Sequence, residues 1–393
     1  MPSPIKKQIK SSFRRKEARP VKELSFDFPL LFTSMGLLLF GLIFMYSSSA
    51  FWGAYYKKDA FYFFKRQLAF AAVGFAAMMW LAKYFSRIRE KIDTVKLMWA
   101  TWIILAVTLG MHASANVHRW ISIGPVHIQP SEIAKVTLLL YISSYIDSHK
   151  SQIAKSWQAL IAPLLFSGIT FALIGLEPDL GTPVLLFTVL MLVLYVAGAR
   201  IKYIMFCGLA AVPLVVYEVF HYQYRLKRML VFLSPESQAS AAGYQLSQAF
   251  IAVGSGGWLG AGLGASKMKM LYLPAPHTDF IFAVMAEELG LLRTLVIIGA
   301  FCYILIRGLK IARAAQPLAN QMLALGITLT IVLQAFLNMA MALGVIPTKG
   351  LPLPFFSYGG SSIISTLVMI GILLNISARE TTLRPVSGDA GGK

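Results

Sequence analysis

The chain has 393 residues, 57% of them hydrophobic and only 13% charged, with a formal net charge of +19. Soluble domains run at about a quarter charged, so this balance excludes an ordinary soluble protein and points to an integral membrane protein. In such a chain the excess of Lys and Arg marks cytoplasmic loops and anionic headgroup contacts; it is no sign of a nucleic-acid surface.

Residues 1–28 are polar and basic, with no short apolar core and no small-residue cleavage site, so they are expected to form a cytoplasmic tail and not a cleaved signal peptide. Such a tail lies on anionic lipid or docks a cytoplasmic partner. A helix needs about 20 apolar residues to cross the bilayer core. Runs of that kind fall near 29–49, 67–86, 96–112, 132–147, 157–176, 182–199, 202–221, 281–306, 319–345 and 361–378. The fold expected is therefore an all-α integral membrane protein of about ten transmembrane helices. Residues 29–379 form its membrane domain, 222–280 a large outer loop between helices 7 and 8, and 380–393 a second cytoplasmic tail.

With the N-terminus inside, the short loops 87–95, 148–156, 200–202 and 307–318 are basic and cytoplasmic, as the positive-inside rule requires. The connections 50–66, 113–131, 177–181, 222–280 and 346–360 then face outward. They carry cations that break the rule: Arg119, Arg225, Lys227, Arg228, Lys267, Lys269 and Lys349, with Lys135 just inside the apolar boundary. Snorkelling accounts for some of these singly. Their concentration beside carboxylates and glycines favours an anionic ligand on the outer face. Cys207 and Cys302 lie in apolar runs, and the six histidines show no metal-ligand spacing.

Four motifs interrupt the apolar pattern. In HRWISIGPVHIQPSEIAK (118–135), Pro130-Ser131-Glu132 is a helix start, and Lys135 opposes the helix dipole, so Glu132 or a bound phosphate is expected beside it. In EPDLGTP (177–183), Thr182 is the expected cap with Pro183 as the first helical residue, and Asp179 supports the turn. The stretch 243–290 holds a run of glycines, then His277-Thr278-Asp279 where the chain re-enters an apolar run, then Glu287-Glu288. A carboxylate at that border is costly to desolvate, which makes Asp279 a functional candidate. Glu287 and Glu288 are about 12–14 Å further along the helix, too far to share its proton, and suit partnership with a basic group. In IPTKGLPLPFFSYGGSS (346–362), Gly359-Gly360 either present backbone N–H groups to an anion or form a tight turn capped by Ser361.

These blocks, in this order, resemble the SEDS family, the membrane glycosyltransferases of bacterial shape, elongation, division and sporulation typified by FtsW and RodA. The matching residues are HRWISIGPVHIQPSEIAK, EPDLGTP, GYQxxQ with GSGGxxGxGLGxS and YLP…HTDFIFA…EELG, and KGLPLPFFSYGGSS. The likeness covers about residues 29–380. It implies a ten-helix fold in the bacterial inner membrane, both ends cytoplasmic, that polymerises the lipid-linked disaccharide lipid II into β-1,4 glycan strands with release of undecaprenyl pyrophosphate. The essential aspartate of the family falls on Asp279. Its basic substrate contacts fall on Arg119, Lys135 and Lys269, with His277 and the turn residues Ser357, Gly359, Gly360 and Ser361 as further substrate-binding candidates. No covalent cofactor is implied; a divalent cation (Mg2+ or Mn2+) is a possible helper. The implied partners are a class B penicillin-binding transpeptidase and other division proteins at the septum. The departures are Ala275 and Pro276 where the family commonly reads Glu-Ala, Glu177 in place of a common glutamine, and Arg293 in place of a small residue. The alternatives are a lipid II flippase or transporter, an elongation-type polymerase, and a scaffold in which Asp279 is dispensable.

Overall fold

The computed structural model describes residues 26–110, 119–124, 126–177, 179–233 and 241–383. Most of the basic tail and the last ten residues lie outside the described residues. The helices are α1 (Phe28–Lys57), α2 (Tyr62–Arg89), α3 (Thr94–Gly110), α4 (Pro130–Ser148), α5 (Ile161–Leu176), α6 (Gly181–Val196), α7 (Ile201–His221), α8 (Gln223–Leu233), α9 (Ala241–Ser255), α10 (Ile281–Ala314), α11 (Leu318–Ala342) and α12 (Gly360–Leu383). Each of the ten apolar runs is α-helical over most of its length among the described residues. Seven helical stretches are long and apolar enough to cross a membrane, and α3 and α6 are shorter apolar helices. A two-stranded hairpin, β1 (Ile121–Ile123) with β2 (Val126–Ile128), is the only sheet among the described residues. The expected outer loop 222–280 contains two helices, α8 and α9.

The core lies along α11 and α12, whose apolar side chains are mostly buried. They are packed on α10, α4 and α2. The shortest predicted span, 132–147, is a complete helix from Pro130, and it buries Glu132 and Lys135. By contrast, α7 has no buried residue. Its side chains face outward all round, which only a lipid or partner environment tolerates in a helix this apolar.

At Gly290 (φ 72°), α10 breaks one turn past Glu287. A break leaves backbone groups without helical partners, which at membrane depth other protein groups must satisfy. The glycine run 256–264 does so. Leu291 and Leu292 donate their N–H groups to the carbonyls of Gly257 and Trp258 at 2.8 and 3.2 Å, while Ala261 and Gly262 donate to the carbonyls of Glu287 and Glu288 at 2.9 and 3.0 Å. No side chain fits between these backbones. A Cβ on Gly260 would stand 2.3 Å from the Glu288 carbonyl oxygen, and one on Gly290 2.2 Å from the Gly260 nitrogen.

Contacts between connections sort the bundle into two ends. At one end, Arg307 pairs with Asp27 at 2.5 Å, Asp27 N–H donates to Ser377, Arg89 bonds Asn320, and Arg200 reaches the Ala154 carbonyl. At the other, the segments around residues 119–129, 175–179, 225–228, 277–279 and 346–361 bond one another. Asp279 is at this second end.

Candidate active site

Three successive backbone carbonyls fix Asp279. His277 accepts from the Tyr358 N–H at 2.8 Å, Thr278 from Ser357 Oγ at 2.7 Å, and Asp279 from Asn338 Nδ2 at 2.8 Å. Asn338 also donates to the Leu351 carbonyl at 2.7 Å, and one turn earlier Gln334 donates to that of Pro352 at 2.8 Å. Two amides on one face of α11 thus hold the 346–360 segment against the start of α10. A peptide with its carbonyls tied this way presents its side chain in one place, as catalytic groups require.

Around the carboxylate the charges are mixed. Asp279 is half-buried, and burial pushes its carboxyl up to about 6; Arg228 and Arg119 oppose that rise, and Asp179 adds to it. Arg119 donates from Nε to the Glu177 carbonyl at 2.8 Å, and Arg228 from Nη1 to the Thr348 carbonyl at 3.2 Å. Asp279 Oδ2 and Arg119 Nη1 border one open spot, 3.5 and 3.6 Å from where a side chain on Gly350 would begin. Next to it in sequence is Lys349, whose ammonium burial pushes below its ordinary value. Asp179 is buried and caps α6: Thr182 donates to it from its N–H at 3.1 Å and from Oγ1 at 2.8 Å. Thr182 is therefore the capped residue, and Asp179 supplies the cap expected of Thr182. The arrangement offers an ionised base beside fixed cations, in a place where protein replaces water.

The other residues singled out in the sequence are near this centre or at a distance from it. Lys269 is buried and donates to Glu288 Oε1 at 2.8 Å, Ser47 Oγ at 2.9 Å and the Gly264 carbonyl at 2.6 Å. Glu287 accepts from Ser266 Oγ and the Lys267 N–H. Both glutamates thus serve a basic group or the loop, as their distance from Asp279 led us to expect. Lys135 is 1% exposed and donates to Glu132 at 2.8 Å and Gln334 at 2.9 Å. Glu132, one of the two counter-charges expected beside it, is in place.

His277 is buried among Phe63, Tyr358 and Trp52, with ring centroids 4.5, 5.6 and 6.1 Å away, and burial lowers its imidazole to about 4, so it is neutral. Ser357 accepts the Leu353 N–H at 2.8 Å besides holding Thr278. Gln67 clamps the turn, donating to the Ser357 carbonyl and accepting from the Gly359 N–H. Gly360 starts α12 against the Phe70 ring, and Ser361 accepts from the Gln129 N–H and donates to the His127 carbonyl. Of these turn residues Ser357 bonds the segment that holds Asp279, while Gly360 and Ser361 pack and bond at the start of α12.

Sequence reading counted Arg228 and Lys349 only among outer cations, and it gave no place to Asn338 and Gln334. A usable signal was there: two amides spaced i, i+4 in an otherwise apolar span. Among the described residues no three His, Cys, Asp or Glu side chains converge.

Fold and site together define a polytopic helical membrane protein that gathers several acids and cations at one end of its bundle. A family model described as "Cell cycle protein", FTSW_RODA_SPOVE, matches residues 28–382. A relative from Trichlorobacter lovleyi, "Probable peptidoglycan glycosyltransferase FtsW", is 38% identical over 94% of this chain and 97% of its own. "Stage V sporulation protein E" of Bacillus subtilis is 36% identical over 91% and 98%. A solved structure described as "Structural coordination of polymerization and crosslinking by a peptidoglycan synthase complex" superposes with a TM-score of 0.75 at 26% identity, covering 91% of this chain and 99% of that one. The chain belongs to the FtsW/RodA/SpoVE family.

Proposed function

We propose that the chain is a peptidoglycan glycosyltransferase that polymerises lipid II, acting in septal synthesis beside a class B penicillin-binding transpeptidase. The observation that carries this reading is the immobilised Asp279 carboxylate facing Arg119 and Arg228 across the spot beside Gly350. Relatives bearing the name peptidoglycan glycosyltransferase FtsW at 36–38% identity favour the division-type enzyme. The likeness to a synthase complex that couples polymerisation to crosslinking supports the transpeptidase partner.

Asp279 takes the proton of the acceptor sugar's 4-hydroxyl. That oxygen bonds the donor's anomeric carbon as the bond from this carbon to the lipid pyrophosphate breaks, and the pyrophosphate leaves with the electron pair. Displacement from the opposite face turns the α-linked donor into a β-1,4 product. A pyrophosphate needs cations more than a proton donor, so one base with a basic surround suffices. Arg119, Arg228 and Lys349 hold the phosphates. Lys135 and Lys269 act one step removed, through the buried ion pairs that brace α4 and α10. The site opens to the outer leaflet, with both termini in the cytoplasm.

The test is incubation of the purified protein with labelled lipid II, with and without a cognate transpeptidase, beside a flipping assay. Polymer from the wild type and none from a folded Asp279→Asn variant is the expected result. Full polymerisation by that variant would remove the assigned base, and flipping without polymerisation would replace the reading with a transporter.

A further inference from the structure

Glu177 is the one carboxylate at this end of the bundle, among the described residues, whose two oxygens are both buried and lack any hydrogen-bond partner. The residue is fully buried. Charged groups nevertheless surround it. Asp179 is two residues on. Arg119 binds the backbone carbonyl of Glu177 at 2.8 Å, and Arg225 binds the carbonyl of Gly175, two residues earlier, at 2.9 Å. So the guanidinium beside this acid is engaged with its main chain, and the carboxyl is left dry and unbonded. An ionised carboxylate in that position draws hydrogen bonds or a direct ion pair, because burying it without them is costly. The neutral acid avoids the cost. Burial and the Asp179 charge push the Glu177 carboxyl up to about 8, against the pull of Arg119, so the neutral form prevails at physiological pH.

We propose that Glu177 is a positioning residue that must stay protonated, so that it adds no further negative charge to Asp179 and Asp279 beside Arg119, where the anionic substrate binds. The inference rests on the glycosyltransferase reading above and assigns this site its alkaline limit. When Glu177 loses its proton, the new charge partly cancels Arg119 and repels a bound phosphate. Pyrophosphate binding and turnover fall together, while Asp279, already ionised, is unaffected as base.

Two measurements test this. In infrared spectra of the wild-type protein, titrated from pH 7 to pH 9 in detergent or nanodiscs, the carbonyl band of a protonated carboxyl is present at pH 7 and disappears with a midpoint near 8. No band at pH 7, or one that persists at pH 9, overturns the proposal. This readout needs neither a variant nor an active enzyme, so it stands apart from whether the chain polymerises lipid II. In the second, polymerisation of labelled lipid II is followed at both pH values. A group titrating near 8 leaves about a tenth of the plateau rate at pH 9 in the wild type, whereas Glu177→Gln, an amide of the same shape that cannot ionise, shows a pH 9 to pH 7 ratio near one. The same ratio in both proteins overturns the inference and hands the alkaline limb to Lys349, the other group here that titrates early. A Glu177→Gln protein that is folded but inactive at pH 7 overturns it too, since the amide then fails where a neutral acid succeeds.

Discussion

In the proposed mechanism Asp279 serves as base because two effects are balanced on one side chain. Burial raises its carboxyl to about 6, which makes it a better proton acceptor than an exposed aspartate, and Arg228 and Arg119 keep it from rising further. Since the ionised form is the base and its folded value lies above the ordinary one, activity is full above that value and is lost as pH falls through it. We therefore expect polymerisation to be halved near pH 6 and to drop about tenfold for each further unit, as an acid limb in the pH–rate profile of the purified protein. An acid limb near pH 4 would mean that the carboxylate is solvated. Gly350 tests the space beside Asp279 by size. A methyl there makes only ordinary contacts with Asp279 and Arg119, so Gly350→Ala keeps fold and some turnover. Gly350→Leu fills the spot and stops polymerisation of labelled lipid II without lowering the melting temperature. Equal activity in the two variants would place the substrate elsewhere.

The break in α10 carries the site. The glycine run bonded across it places Lys269 under Glu288, and the pair, 9% and 0% exposed at the side chain, fixes the loop that leads to His277. Deleting one partner of a buried pair leaves an uncompensated charge, at a cost of about 3–5 kcal/mol, whereas replacing both with apolar groups is often neutral. Lys269→Met is thus expected to melt well below the wild type in detergent, and Lys269→Met with Glu288→Leu to recover both stability and polymer synthesis. If the double variant recovers stability alone, Lys269 contacts substrate after all. The ten helices were legible in the sequence because the length of an apolar run decides spanning. The partners of the polar residues were not, because they are set by packing between distant segments: Lys269 bonds Ser47, 222 positions away, and Lys135 bonds Gln334, 199 away. The glycine run stands out in the sequence, but nothing in its spacing reveals that it packs against the break at Gly290.

At the scale of the whole molecule, the two ends use their cations differently. The end near Asp27 and Arg307 presents exposed Lys310 and Arg313, with no carboxylate within ion-pairing distance of either among the described residues. At the Asp279 end, Arg119, Arg225 and Arg228 sit among Glu177, Asp179, Glu218 and Asp279, while Lys227 and Lys267 are exposed. Orientation in a membrane follows Lys and Arg in short loops near the ends of the spans. In the reading proposed above, the Arg307 end lies in the cytoplasm and Asp279 outside, where the polymer is needed. Single cysteines decide the point in a Cys207→Ala, Cys302→Ala background. Lys267→Cys lies in the exposed loop at the Asp279 end and Arg313→Cys is exposed at the other. In intact spheroplasts a membrane-impermeant maleimide is expected to label position 267 at once and position 313 only after lysis. The reverse pattern would point the candidate base at the cytosol, and no arrangement of residues around Asp279 could then rescue a role in building wall on the outer face.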